Sequence, residues 1–207
     1  LRTSLAIFFA FVFVAGVMLF KSNMYQWQLQ SVRHRFGSWI IMLYDSNLEE
    51  NSELKNHPYL NESGKAAVDN YMYDTKKQQD VSSVKLGYMS DEFISIGNIS
   101  LREGSMPQED DEAAIEWDTL IKLNQGTTIG QDIVINIRKS NSPYSDVIEK
   151  TYKLTGILNN YTNVWTGGNN VPGIILKEDE ADSINRIGKA TYIYSSNSFI
   201  DKNYTGI

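Results

Sequence analysis

The hydrophobic and polar positions along this chain fall into three regimes. Residues 5–20 (LAIFFAFVFVAGVMLF) are an unbroken run of sixteen apolar or small residues. As a helix at about 1.5 Å per residue the run spans roughly 24 Å, which the small flanking residues Thr3, Ser4 and Ser22 extend toward a ~30 Å hydrocarbon layer. Tyr25 and Trp27 then suit an interfacial aromatic belt. A secretory signal peptide is the rival reading, with Arg2 as its basic flank. Leu19-Phe20-Lys21 offers no small-residue cleavage site and the run is long for such a segment, so residues 1–24 are read as an uncleaved transmembrane anchor. Basic residues on both sides, Arg2 before and Lys21, Arg33 and Arg35 after, leave its orientation open. The missing initiator Met is taken as the mark of a piece of a longer chain.

Residues 21–36 contain no Pro or Gly and continue the helix. Tyr25, Leu29, Val32 and Phe36 recur at spacings of 4, 3 and 4, a one-sided apolar stripe that packs either on its own domain or on a partner helix. Gly37 falls where a left-handed helix stop is expected. Residues 25–37 are therefore read as a stalk.

From residue 38 the period shortens toward two. Strands are expected over 38–45, 66–73, 81–89, 112–116, 133–138, 149–158, 173–176 and 191–194. The second and third pair around a polar turn at 76–80, and the strands at 133–138 and 149–158 pair across a turn at 140–143. Short helices are expected over 48–56, ending before Pro58, over 90–96 with Ser90 as N-cap, over 118–123 and over 178–187. Residues 159–170 read as a Gly/Asn-rich loop. The fold class is α+β and strand-dominated, with mixed sheets. The change from longer strands to short, Gly-punctuated ones marks two lobes. Residues 38–97 with 171–207 form a membrane-proximal lobe, and 98–170 an inserted β-rich lobe.

Composition narrows the function. A chain of 207 residues with 42% hydrophobic and 21% charged residues can bury a real core, and only four Pro argue against a disordered linker. There is no Cys, and His34 and His57 are the only histidines, so thiolate chemistry and multi-His metal sites have no material. Residues 1–36 carry four basic residues and no acid; against a whole-chain charge of −6, the remainder carries −10. A basic, membrane-proximal base under an acidic lobe disfavours nucleic acid as a partner.

The acidic run Glu109-Asp110-Asp111-Glu112 lacks the alternation and Gly hinge of a calcium loop. Gly167-Gly168 is followed by no Lys-Ser/Thr and no helix, so it is not a phosphate loop. No G-x-S-x-G or other nucleophile context occurs. The four formal glycosylation sequons at Asn61, Asn98, Asn160 and Asn203 are chance matches in an Asn/Ser/Thr-rich chain. The expectation is a non-enzyme without cofactor or metal.

Residues 101–137 carry a further pattern, in which Gly104, Pro107, Glu112, Ile115, Ile129, Gly130 and Asp132 stand in a fixed order, followed by Leu154, Gly156 and Ile157. This series resembles the signature region of MacB-like periplasmic core domains, which precede the FtsX-like permease module of ABC transporters. Ser105 stands where that family usually has Arg, and Gln131 intervenes before Asp132. The residues themselves read as structural: Gly104 and Gly130 allow tight turns, Pro107 stiffens one, and Gly156 within a strand marks a bulge or a close backbone approach.

The resemblance implies an extracytoplasmic domain of a bacterial transporter permease, working with a separate cytoplasmic ATPase subunit and a second permease subunit as a dimer in the lipid membrane. It also implies a lever-like use of the stalk. The alternative is a membrane-anchored interaction or sensor module, for cell-wall hydrolase control or ligand sensing, without translocation. No residue chooses a substrate.

Overall fold

In the computed structural model the described residues are 2–44, 54, 56–140, 146–163 and 171–196, with the side chains of 2–7 and 10 excepted. The helix expected at 48–56, most of the turn at 140–143 and the loop beyond residue 163 lie outside them.

Helix α1 runs unbroken over Arg2–Phe36, 35 residues and about 52 Å long. It ends at Gly37, whose φ of +87° is the left-handed conformation that favours glycine and whose N–H closes on the Arg33 carbonyl at 2.8 Å. Among the described residues no helix is long and apolar enough to cross a membrane. Leu5, Ala6, Ile7 and Ala10 of the 5–20 run are outside the described side chains.

The described elements then follow as β1 (Trp39–Tyr44), β2 (Leu60–Asp74), β3 (Gln79–Met89), α2 (Asp91–Ile96), β4 (Leu101–Gly104), β5 (Glu112–Glu116), α3 (Trp117–Leu123), β6 (Asp132–Arg138), β7 (Val147–Leu158), β8 (Ile174–Ile175), α4 (Glu178–Ser183) and β9 (Lys189–Ser196). The mixed α+β class is as expected. Strand β2 begins six residues earlier than its apolar pattern, because its polar first half pairs with β9. Helix α4 stops at Ser183 rather than Ile187, since the Arg186 and Ile187 amides turn away to donate to the Asp69 carbonyl at 2.8 and 3.0 Å.

All nine described strands join one hydrogen-bonded network in the order β1-β9-β2-β3-β8-β5-β7-β4, and β6 bridges β7 back to β2 through the pair Met72 and Ile137. Strands β2, β3, β8, β5, β7 and β6 thus close a ring. Its pairings are mixed: β3–β8 and β5–β7 are parallel and the other four antiparallel.

Two cores form on the two faces of this network. The first gathers Val84 and Leu86 of β3, Ile115 of β5, the alternating Ile133, Ile135 and Ile137 of β6, and Tyr152 and Leu154 of β7, with Leu120 of α3 and Ala181 of α4. The second gathers Ala66, Met89, Leu158 and Ile193 under Phe93 and Ile96 of α2. Strand β8 supplies Ile174 to one core and Ile175 to the other, and β5 divides Ile115 and Ala114 in the same way. Both strands are therefore buried on both faces, and each face needs its own partner layer.

Candidate functional site: the stalk junction

The helix α1 enters the domain at the C-terminal end of α2. A methyl group at Gly37 would lie 2.2 Å from the Ile96 carbonyl oxygen and 2.7 Å from the Gly97 Cα, so the two backbones touch where no side chain fits. The next amide, Ser38 N–H, donates to the Ile96 carbonyl at 2.7 Å. Asn98, itself left-handed at φ +51°, donates its side-chain amide to the His34 carbonyl. The Trp39 indole N–H donates to the Phe36 carbonyl at 2.7 Å. These bonds satisfy carbonyls that the last turn of any helix leaves open, and Arg33, His34 and Arg35 complement its negative end.

Behind the junction, α2 is fixed in turn. The Ser90 hydroxyl accepts from Phe93 N–H and from Lys65 N–H, each at 3.2 Å, joining the N-cap to β2. Phe93 is fully buried in the core it shares with Ile193 and Leu158. Stalk, α2 and sheet are therefore in continuous contact. A cavity of about 330 Å³ lies beside the junction, between His34 and Arg35 of α1, Asn98 and Ser100, and Asn159 to Tyr161.

The stripe on the stalk does not pack on the domain. Tyr25, Val32 and Phe36 are 45%, 54% and 36% exposed and Leu29 is half-buried, with the Arg35 guanidinium 5.6 Å above the Phe36 ring.

The turn residues gather at the β4–β5–β7 seam. Gly104 (φ +80°) pairs with Gly156 across β4 and β7, and a methyl on either would lie within 2.3 Å of a carbonyl oxygen, that of Thr155 or Ser105. Thr155 is the extra residue of a bulge, since Ala113 pairs with Leu154 and Ala114 with Gly156. Gly130 sits on the neighbouring turn with its N–H on the Leu154 carbonyl at 2.8 Å. The half-buried Pro107 lies in the loop that Glu112 closes. One Glu112 carboxylate oxygen accepts the Gln108 and Glu109 amides at 2.8 and 3.2 Å. None of these five residues adjoins the stalk stripe; the seam and the junction are separate places.

Sequence reasoning missed Glu116. This last residue of β5 is fully buried and accepts the Tyr161 and Thr162 amides at 2.7 and 2.8 Å, the Thr162 hydroxyl at 2.7 Å and the Thr119 hydroxyl at 3.2 Å. Tyr161, which lines the junction cavity, is held by that carboxylate and by its own hydroxyl on the Pro172 carbonyl. Burial, with the Glu116 charge second, holds the Tyr161 phenol well above its usual range, so it stays protonated. The sequence signal was an acid directly after the apolar Ala113-Ala114-Ile115.

Among the described residues no group of His, Asp and Glu is placed to hold a metal. At the junction the described geometry is one of backbone contact and hydrogen bonding.

An α+β domain hung by glycine and backbone bonds from a long helix is the class this arrangement defines. No family model matches the chain, and no curated relative is found. Among solved structures the chain is similar to the periplasmic region of MacB from Actinobacillus actinomycetemcomitans (TM-score 0.45, 11% identity, covering 85% of this chain and 84% of that one). It is similar also to the extracellular domain of the noncanonic ABC-type transporter YknZ from Gram-positive bacteria (TM-score 0.43, 11% identity, 78% of each). A third is a domain of a putative permease protein from Porphyromonas gingivalis (TM-score 0.35, 11% identity, 78% of this chain and 63% of that one).

Proposed function

We propose that this chain is the extracytoplasmic domain of an ABC-type transporter permease. It is anchored through residues 1–24 and couples ATP hydrolysis by a separate cytoplasmic subunit to export or mechanical signalling outside the membrane. The observation that carries this reading is the unbroken α1 helix docked on α2. Its first half exposes Phe11, Phe13 and Phe20 at 76%, 73% and 70%. Contiguous apolar surface of that extent does not face water in a soluble domain, so lipid is its natural cover. Its second half presents Tyr25, Val32 and Phe36 away from the domain, which favours a helix of a second permease subunit as their partner. With no phosphate loop in the sequence, the energy source is another chain.

Gln30→Pro tests the coupling. Gln30 lies off the stripe, and Pro inside a helix costs about 3 kcal/mol locally. In the complete transporter ATP hydrolysis continues while extracytoplasmic output falls sharply. Wild-type output in that variant would make the stalk a tether and favour the anchored interaction module. The thermal midpoint of wild type and Gln30→Pro, both measured without residues 1–24, is the control for folding.

A further inference from the structure

We propose that helix α4 and the turn after it, residues 178–188, form a proton-controlled flap. With the Asp69 carboxyl protonated the flap is closed on the sheet; with it ionised the flap opens locally while the rest of the network stays folded. Asp69 is 1% exposed, and its Oδ2 is buried without a hydrogen-bond partner. Leaving a buried polar atom unsatisfied is costly, and far more so when it carries charge.

The chain is bent to put the carboxyl there. Strand β2 pairs with β3 at Val68–Gly87 and next at Asn70–Leu86, which leaves Asp69 as the extra residue of a bulge. Strand β9 starts its pairing with β2 beside it, at Val68–Lys189. The Asp69 carbonyl accepts the Arg186 and Ile187 amides at 2.8 and 3.0 Å, so the residue that would carry the charge also moors the turn. Its carboxyl lies over Gly87, where a methyl would come within 3.2 Å of Oδ2. The Gly87 carbonyl in turn accepts the Leu176 amide at 2.8 Å, just ahead of α4.

Helix α4 is only six residues long, too short to persist undocked. Ala181 and the following Ile184 reach the core, and Glu180 accepts from Lys150 Nζ and the Tyr152 hydroxyl of β7 at 2.9 and 2.7 Å. On the Asp69 side the charges conflict. Asp182 and Glu178 of α4 oppose its ionisation, and Lys65 of β2, 3.7 Å from Glu178, favours it. Tyr88 of β3 meets Glu178, Arg186 of the turn is bonded to Asn70 and Asp80, and the exposed Lys189 of β9 lies opposite Val68. Burial first, and Asp182 next, raises the Asp69 pKa from 3.8 to about 7. The closed flap therefore holds a proton. The closing it supports is complete below pH 3.8 and is lost as pH rises through about 7. Opening exposes the carboxyl to water and returns it toward 3.8, so between pH 6 and 8 the closing equilibrium falls about tenfold.

This inference does not depend on the transporter reading, because opening is measured on the chain alone. Amide hydrogen exchange of the full 207-residue protein in detergent is followed at pH 6, 7 and 8, with and without low urea. Each rate is divided by its intrinsic value at that pH. The Ala181, Ile184, Arg186 and Ile187 amides, all hydrogen-bonded in the closed flap, are the reporters. They exchange ahead of the β6–β7 ladder and respond little to urea, the mark of a local opening. Their protection falls about tenfold from pH 6 to 8. In Asp69→Asn protection stays level over that range. In Asp182→Asn the fall is smaller than in wild type, because the charge that most opposes ionisation is gone. That exposed position keeps the test open if Asp69→Asn fails to fold. The proposal is overturned if the reporters exchange only together with the β6–β7 ladder, if wild-type protection does not change with pH, or if Asp182→Asn falls as far as wild type.

Discussion

Asp69 should make the domain lose stability as pH rises through neutrality. It sits on β2, 1% exposed, and its Oδ2 is buried with no hydrogen-bond partner. Burial is the main cause that raises its pKa from 3.8 to about 7; Asp182 and Glu178 add to the rise, and Lys65 opposes it. Between those two values the folded chain holds a proton that the unfolded chain has released. The favourable contribution is complete below pH 3.8 and is lost as pH rises through about 7. At 1.36 kcal/mol per pK unit the whole shift corresponds to a ceiling of about 4 kcal/mol, of which about 2.6 kcal/mol falls between pH 5 and 8. Asp74 and Glu92 have lowered pKa values, held down by backbone hydrogen bonds, and act with the opposite sign at lower pH, outside that window.

The assay is urea unfolding followed by circular dichroism at pH 5, 6, 7 and 8, for wild type and Asp69→Asn. The neutral, nearly isosteric amide removes the titration. Wild type should lose about 1.5–2.5 kcal/mol relative to the variant across the series, allowing for relaxation around the charge. The variant should be the more stable protein at pH 8. Parallel stability profiles for the two proteins would refute the reasoning, because a carboxyl that titrates equally in both states cannot produce the divergence.

Gly37→Ala places a methyl 2.2 Å from the Ile96 carbonyl oxygen at φ +87°, so denaturant unfolding should show a loss of about 2–4 kcal/mol, or proteolysis should cut early at residues 36–38. Glu116→Ala strands the buried Tyr161 and Thr162 amides and should cost about 3 kcal/mol or more, with hydrogen exchange rising first at residues 159–163. The purified chain should turn over no ATP; turnover at stoichiometric active-site titre would contradict the reading that hydrolysis belongs to another subunit.

Local chemistry was legible in the sequence wherever a pattern lay within a few residues. The helical stripe of α1 and its stop at Gly37, the Ser90 cap, and the two-residue alternation of β6 are set by neighbours in the chain, and the structure places them where the pattern did. The bulge at Thr155 was signalled by Gly156, since a glycine inside a strand marks a place where another backbone comes close.

Tertiary structure decided what those elements become. Alternating apolar residues fix which side of a strand is buried, but not which strand covers it. The two-residue β8 has no period to detect, yet it joins β3 to β5 and so links strands far apart in the chain. The role of Glu116 likewise depends on contacts between residues dozens of positions apart. Burial of a charge is a property of the layers around it, so the pKa of Asp69 exists only once the ring has closed.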